Sequence, residues 1–177
     1  MSRLISFSTM VALALGTFPV ASAQQPSAGA LASEFSLLDQ YGKRHTLADY
    51  RGRWVVLFFY PKNDTPGCTK EVCSFRDDIV ELHALSAQVL GVSVDSVQSH
   101  ARFAEKHGLP FPLLADEDGS VARSYDALFS LGFVKWAKRH TFIVDPQGRL
   151  AKIYRSVEPA THSDRVISDI KAMQGRG

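Results

Sequence analysis

The apolar positions along the chain change period several times, and each change marks an element. Trp54-Val55-Val56-Leu57-Phe58-Phe59-Tyr60 is an unbroken β-branched and aromatic run, the pattern of a strand covered on both faces in mid-sheet. Pro61 ends it. Beyond the turn-rich Asn63-Asp64-Thr65-Pro66-Gly67, the residues Val72, Phe75, Ile79 and Leu82 recur at helical spacing, so Cys68 falls at a helix start. Upstream, Phe35 to Leu38 and Arg44 to Leu47 read as two short strands about Asp39-Gln40-Tyr41-Gly42. Downstream, Gln88 to Val94 reads as a second buried strand, Ser99 to His107 as a helix, Pro112 to Leu114 as an extended piece and Gly119 to Tyr125 as helical. Thr141 to Val144 and Leu150 to Tyr154 read as strands about Asp145-Pro146-Gln147-Gly148, and Thr161 caps a last amphipathic helix through Val166 and Ile170. No internal repeat occurs. This alternation, closed by a hairpin and a helix, predicts an α/β fold with a central mixed β-sheet flanked by helices.

The first residues follow another rule. Arg3 precedes Leu4 to Val20, an apolar run without charge, and Ala21-Ser22-Ala23 gives the small-x-small pattern that a signal peptidase cuts. Residues 1–23 are therefore read as a signal peptide and the protein as exported, to a periplasmic compartment. An uncleaved anchor is the alternative, although the run is at the short edge of what spans a bilayer. Residues 24–32 are rich in Ala, Gln, Ser, Gly and Pro and read as a flexible lead-in to one domain over 33–177. Nothing later approaches a spanning length.

Twenty Lys and Arg against eighteen Asp and Glu, scattered without a basic block, give no reason to expect nucleic acid as a partner. The chain of 177 residues, 45% of them hydrophobic, can bury a core without a covalent staple. That matters for its two cysteines, Cys68 and Cys73. A bridge between them would close a very short loop and constrain the unfolded chain little, so reactivity explains them better.

A thiol reacts as its thiolate, and an ordinary cysteine with a pKa of about 8.5 is only a few per cent ionised at pH 7. At a helix start, unpaired N–H groups and the positive end of the dipole favour the anion; a pKa of about 6 would make it roughly 90% thiolate. Gly67 lets the backbone approach a ligand closely, Pro61 and Pro66 restrict the loop, and Thr65 offers a hydroxyl that both donates and accepts. Such a loop suits a small molecule with two oxygens, one attacked and one leaving with negative charge. Arg139, at the entry to the strand Thr141 to Val144, is the candidate cation, although an arginine taken alone is more often a solvated surface residue.

Five positions along an α-helix set two Cα atoms about 8.6 Å apart, and a disulfide tolerates at most about 6.8 Å. Were Cys68 and Cys73 to join, the first helical turns would have to unwind. The bland alternative is that Cys73 is a small buried hydrophobe.

Pro61-Lys62-Asn63-Asp64-Thr65-Pro66-Gly67-Cys68 matches the P-x-x-x-T-x-x-C signature of peroxiredoxins. With Glu71, Cys73, Phe75 and Arg76 it resembles the Q-type, or bacterioferritin comigratory protein, subfamily. Phe35-Ser36-Leu37, Tyr50-Arg51-Gly52, Asp116-Glu117-Asp118-Gly119 and Arg139-His140-Thr141-Phe142 fall in family order, so the resemblance covers the whole domain. It implies a thioredoxin-like fold and a thiol peroxidase for hydrogen peroxide and organic hydroperoxides, with no cofactor and no metal. Cys68 would be the peroxidatic residue and Cys73 the resolving one, joined in an intramolecular disulfide that a thioredoxin-type donor reduces. Thr65 and Arg139 would orient the peroxide, Pro61 would shield the sulfur, Glu71 would act secondarily, and a monomer is expected. The leader argues export, beyond the reach of an ordinary cytosolic thioredoxin, so the identity of the reductant stays open. Leu128 to Trp136, with Phe129, Leu131 and Phe133, is more apolar than the subfamily pattern; core packing is the expected reason, with an oily hydroperoxide pocket or a dimer contact as the alternatives.

Two other functions fit less well. A thiol-disulfide exchanger would show C-x-x-C rather than Cys68-x4-Cys73. A copper carrier would need a histidine such as His140 or His162 beside both cysteines, and the six histidines form no cluster in the sequence.

Overall fold

Strand β3 (Trp54–Phe59) lies in the interior of a seven-stranded sheet in a computed structural model that describes residues 25–175. The signal peptide expected over residues 1–23 lies outside the described residues. Around β3 the sheet runs β2-β1-β5-β4-β3-β8-β9, built from β1 (Ser36–Leu38), β2 (Arg44–Thr46), β4 (Ala87–Ser93), β5 (Leu113–Ala115), β8 (Thr141–Val144) and β9 (Leu150–Tyr154). β3, β4 and β5 are parallel neighbours, whereas β8 joins β3 antiparallel, with Phe58 opposite Thr141 and Val55 opposite Val144. The sheet is therefore mixed, as expected.

Alternation along β3 divides the core in two. Val55, Leu57 and Phe59 join Phe35, Tyr125 and Phe142 on one face. Val56, Phe58 and Tyr60 face the other way, onto helices α1 (Pro66–Asp77), α3 (Val97–His107) and α5 (His162–Gln174), through Val72, Phe75, Phe103, Val166 and Ile170. Each such side chain contributes about 1.5–3 kcal/mol when fully buried, so together they outweigh a dipole effect of about 0.3–2 kcal/mol at a helix end. The apolar floor thus fixes where α1 starts. Two short helices, α2 (Ile79–Ala84) and α4 (Ser120–Ser124), complete the set.

Three features differ from the sequence reading. The helical period from Val72 to Leu82 spans two helices, because the chain turns at Asp78, whose carboxylate accepts a hydrogen bond from the Ser163 hydroxyl at 2.5 Å. Part of the lead-in is paired rather than free: Gly29 N donates to Leu150 O, Leu150 N to Ala30 O and Ala32 N to Gly148 O, and Ala32 is buried. Composition there reported only low hydrophobicity, not the open edge of β9 that these backbone groups satisfy.

The third difference is the largest. Leu128 to Trp136 was expected to pack into the core, yet it forms a separate antiparallel ribbon, β6 (Leu128–Leu131) and β7 (Val134–Ala137). Gly132, at φ +58, occupies the first position of a two-residue turn, which the tight hairpin requires. Leu128 and Ala137 pack inward, but Leu131 is 73% exposed and Phe133 fully exposed. Phe129 and Trp136 stack on each other at 4.2 Å between ring centroids. An apolar stretch cannot announce from its composition whether a core is within reach.

Candidate active site

The site is built where β3 ends. Tyr60 is wholly buried, and its hydroxyl donates to Asn63 Oδ1 at 2.8 Å. Asn63 donates through its backbone N to Asp95 Oδ2 and through Nδ2 to Ser99 Oγ, both at 2.9 Å. His100 Nδ1 stands 3.2 Å from both Tyr60 Oη and Asn63 Nδ2, and burial holds this imidazole down to about pKa 4. Neutral at ordinary pH, it can join the network without bringing in a charge. These bonds tie the loop after Pro61 to α3 and to the end of β4.

The chain then enters α1 through Thr65, the N-cap residue, with Pro66 at the first helical position, where its missing N–H costs nothing. Cys68 sits in the first turn of α1, fully buried, with the free N–H groups of that turn close by. Arg139 Nη2 donates to Cys68 Sγ at 3.3 Å. Through Nη1 the same guanidinium pairs with Glu71 Oε2, and Glu71 is completely buried.

The β3–β8 pairing delivers Arg139 to the sulfur: Phe59 N donates to His140 O at 2.8 Å, fixing the residue just before β8 above the end of β3. Gly67 leaves room for it. A Cβ at position 67 would lie 3.2 Å from Arg139 Nη2, closer than such atoms ordinarily come. The close approach expected of Gly67 is thus to a guanidinium of this chain.

Burial pushes the Glu71 carboxyl up to about 7, and the charge of Arg139 acts against that rise. Burial also works against the charge of Arg139, which Glu71 and then Cys68 restore. Glu71 Oε1 has no hydrogen-bond partner among the described residues, so the guanidinium is its sole polar anchor.

Cys68 and Arg139 are therefore in contact, and Glu71 is bound directly to the arginine. Thr65 stands at the N-cap position of the same helix, but its hydroxyl donates to Lys62 O at 3.1 Å, leaving its lone pairs to accept. Pro61 lines a cleft of about 520 Å³ with Lys62, Val94, Asp95, Val134, Lys135 and Trp136. Cys73 is half-buried farther along α1, and both cysteines are free thiols. His162 is a packed core residue: its Nε2 lies 2.8 Å from Thr141 Oγ1 and its ring stands edge-on to Phe75. No group of three or more His, Cys, Asp or Glu placed to hold a metal occurs among the described residues.

Sequence reasoning undervalued Glu71 and missed Asn63, Asp95, Ser99 and His100 as supports of the loop. For Glu71 a signal existed: an acid three positions after Cys68 on a helix lies on the same face. For His100 none did, since its partners are 37 and 40 residues away.

A buried thiol under an arginine at a helix start, at the end of a central strand, defines a thioredoxin-fold protein with a reactive cysteine. A model of the AhpC/TSA family matches residues 28–153. The chain is 40% identical to "Peroxiredoxin Bcp" of Bacillus subtilis over 149 residues, covering 82% of this chain and 95% of that protein. Among solved structures, peroxidoxin BcpB from Mycobacterium tuberculosis superposes with a TM-score of 0.80 at 34% identity, over 84% of this chain and 99% of that one. Xanthomonas campestris peroxiredoxin Q gives a TM-score of 0.74 at 37% identity, over 78% and 90%. The chain belongs to the AhpC/TSA family and, within it, to the Bcp and Q peroxiredoxins, which are thiol-dependent peroxidases.

Proposed function

We propose that this protein reduces hydroperoxides at Cys68, recycles through a disulfide with Cys73, and works outside the cytosol. The contact between Arg139 and the Cys68 sulfur carries the assignment of the attacking residue. The thiolate attacks the nearer peroxide oxygen, the O–O bond breaks, and the farther oxygen leaves with the electron pair and takes a proton, as water or an alcohol. Cys68 is then a sulfenic acid. Arg139 stays charged throughout and stabilises both the sulfur anion and the departing oxygen. Thr65 orients the peroxide through its free lone pairs, and Pro61 shields the sulfur.

The Cys73 thiol next condenses with the sulfenic acid, forming the S–S bond and releasing water. A dithiol of the thioredoxin type returns two electrons and two protons. Residues 1–23 act as an export signal in this reading, so the donor is an extracytoplasmic one, and the catalytic unit is a monomer.

Rapid mixing of the reduced protein with hydrogen peroxide tests the scheme. Cys68→Ser should consume none, and Cys73→Ser should react once and stop at the sulfenic acid, which a dimedone adduct would reveal. Consumption by Cys68→Ser at the parent rate would remove Cys68 from its role.

A further inference from the structure

The β6–β7 ribbon is the least explained part of the molecule. From Phe129 to Val134 it carries no charge, and Phe129, Leu131, Val134 and Trp136 share one exposed face, since Leu131 pairs with Val134 and Phe129 with Trp136. Phe133 projects beyond them at the turn, fully exposed. A free apolar tip of this kind is uncommon on a soluble domain and marks a surface that meets something.

Its charges indicate what. Lys135 follows the tip by two positions, and Lys62 lines the same cleft. Lys138 and Arg155 flank the ribbon base and hold Asp126 between them. Of the nearby acids, Asp95 is engaged by Asn63 N and Ser93 Oγ, and Asp118 is near enough to Lys135 to feel its charge. Two strand positions span about 7 Å, so a turn sunk to the level of Phe133 leaves Lys135 among headgroup phosphates; interfacial elements insert by about 5–10 Å.

We propose that the β6–β7 ribbon is a membrane-docking element that inserts Leu131, Phe133 and Val134 into the headgroup region of an anionic bilayer, with Lys62 and Lys135 contacting phosphates. Docked in this way, the cleft beside Pro61 opens at the lipid surface. The docking itself does not depend on the peroxidase reading, and its test uses no turnover.

Co-sedimentation of the purified exported protein with phosphatidylglycerol-containing vesicles, read alongside tryptophan emission, decides the matter. The parent should sediment with the vesicles and shift its emission to the blue as Trp136 leaves water. Leu131→Ser/Phe133→Ser alters only exposed turn residues; it should keep the native circular dichroism spectrum and lose at least about tenfold in partitioning. Lys62→Gln/Lys135→Gln should lose several-fold, and added salt should reproduce that loss in the parent. Equal partitioning of the parent and the double serine variant overturns the proposal, as does failure of the parent to bind. A concentration-dependent dimer abolished by the same double serine variant, without vesicle binding, would assign the face to a second copy and also overturn it.

Discussion

At its N-terminal end α1 starts from Thr65, whose side chain makes no capping hydrogen bond, and then from a proline and a glycine; Cys68 packs in the apolar floor and takes its polar contact from outside the helix, among the described residues, from Arg139. At the other end the Ser163 hydroxyl on α5 bonds both Ser74 and Asp78, Arg76 Nη1 donates to His107 O at 2.7 Å, and Phe75 stacks on Phe58 at 4.8 Å between ring centroids. The boundary between the loose and the clamped half falls between Cys73 and Ser74. Two cysteines on one continuous helix at this spacing are too far apart to bond, so the proposed Cys68–Cys73 disulfide requires the turns between them to open. The contrast locates that opening: it starts where capping is weakest and stops at the serine clamp, leaving the floor over Phe58 intact.

The contrast can be attacked from its strong side first. Phe75→Ala empties a fully buried site in the clamped half and should cost about 3–5 kcal/mol in a urea unfolding experiment; a loss under 1 kcal/mol would mean that this half is no anchor. On the loose side, Arg139→Ala removes the one cation on the sulfur. It should slow sulfenic acid formation by about 100-fold or more in stopped-flow mixing, and an unchanged rate would show that the helix start alone activates Cys68. Ser163→Ala dissolves the clamp for about 1 kcal/mol. It should speed disulfide formation after a peroxide pulse while leaving the peroxide step alone; if both steps keep the parent rates, the opening has a different limit.

The smallest expected effect is a slope. Glu71, raised to about 7 by burial, binds its proton more tightly folded than unfolded. Its contribution to stability is therefore full below about pH 4.5 and is lost as pH rises through about 7. His100 and His162, each held down to about 4 chiefly by burial, work in reverse: their contribution is full above about pH 6.5 and fades as pH falls through about 4. Urea titrations from about pH 5 to pH 8 should show the parent losing stability relative to Glu71→Gln on the alkaline side. Parallel curves would show that Glu71 does not titrate in this window.

Much of the fold was legible because its signals are local. The run Trp54 to Tyr60 could be little other than a central strand, and Pro61 with Pro66-Gly67 could only punctuate it before a helix. The placement of Cys68 and of Arg139 followed from two strands being neighbours. What stayed hidden depends on distant partners: that Ser163 would turn the chain at Asp78, that His100 would meet Asn63, and that Glu71 would be buried whole beneath Arg139. The β6–β7 ribbon misled for a different reason. Hydrophobicity measures a wish to leave water, and only packing shows whether the wish is granted.

The pairing of residues 29–32 has a bearing on how this protein is handled. A chain shortened to begin at Ser33, where composition suggests the domain starts, would strip Leu150 and the turn before it of their backbone partners. The outer rim of the sheet would then offer unpaired amides to any other molecule carrying the same rim. Such a truncated preparation would tend to self-associate through its strands, for want of four residues that look dispensable on paper.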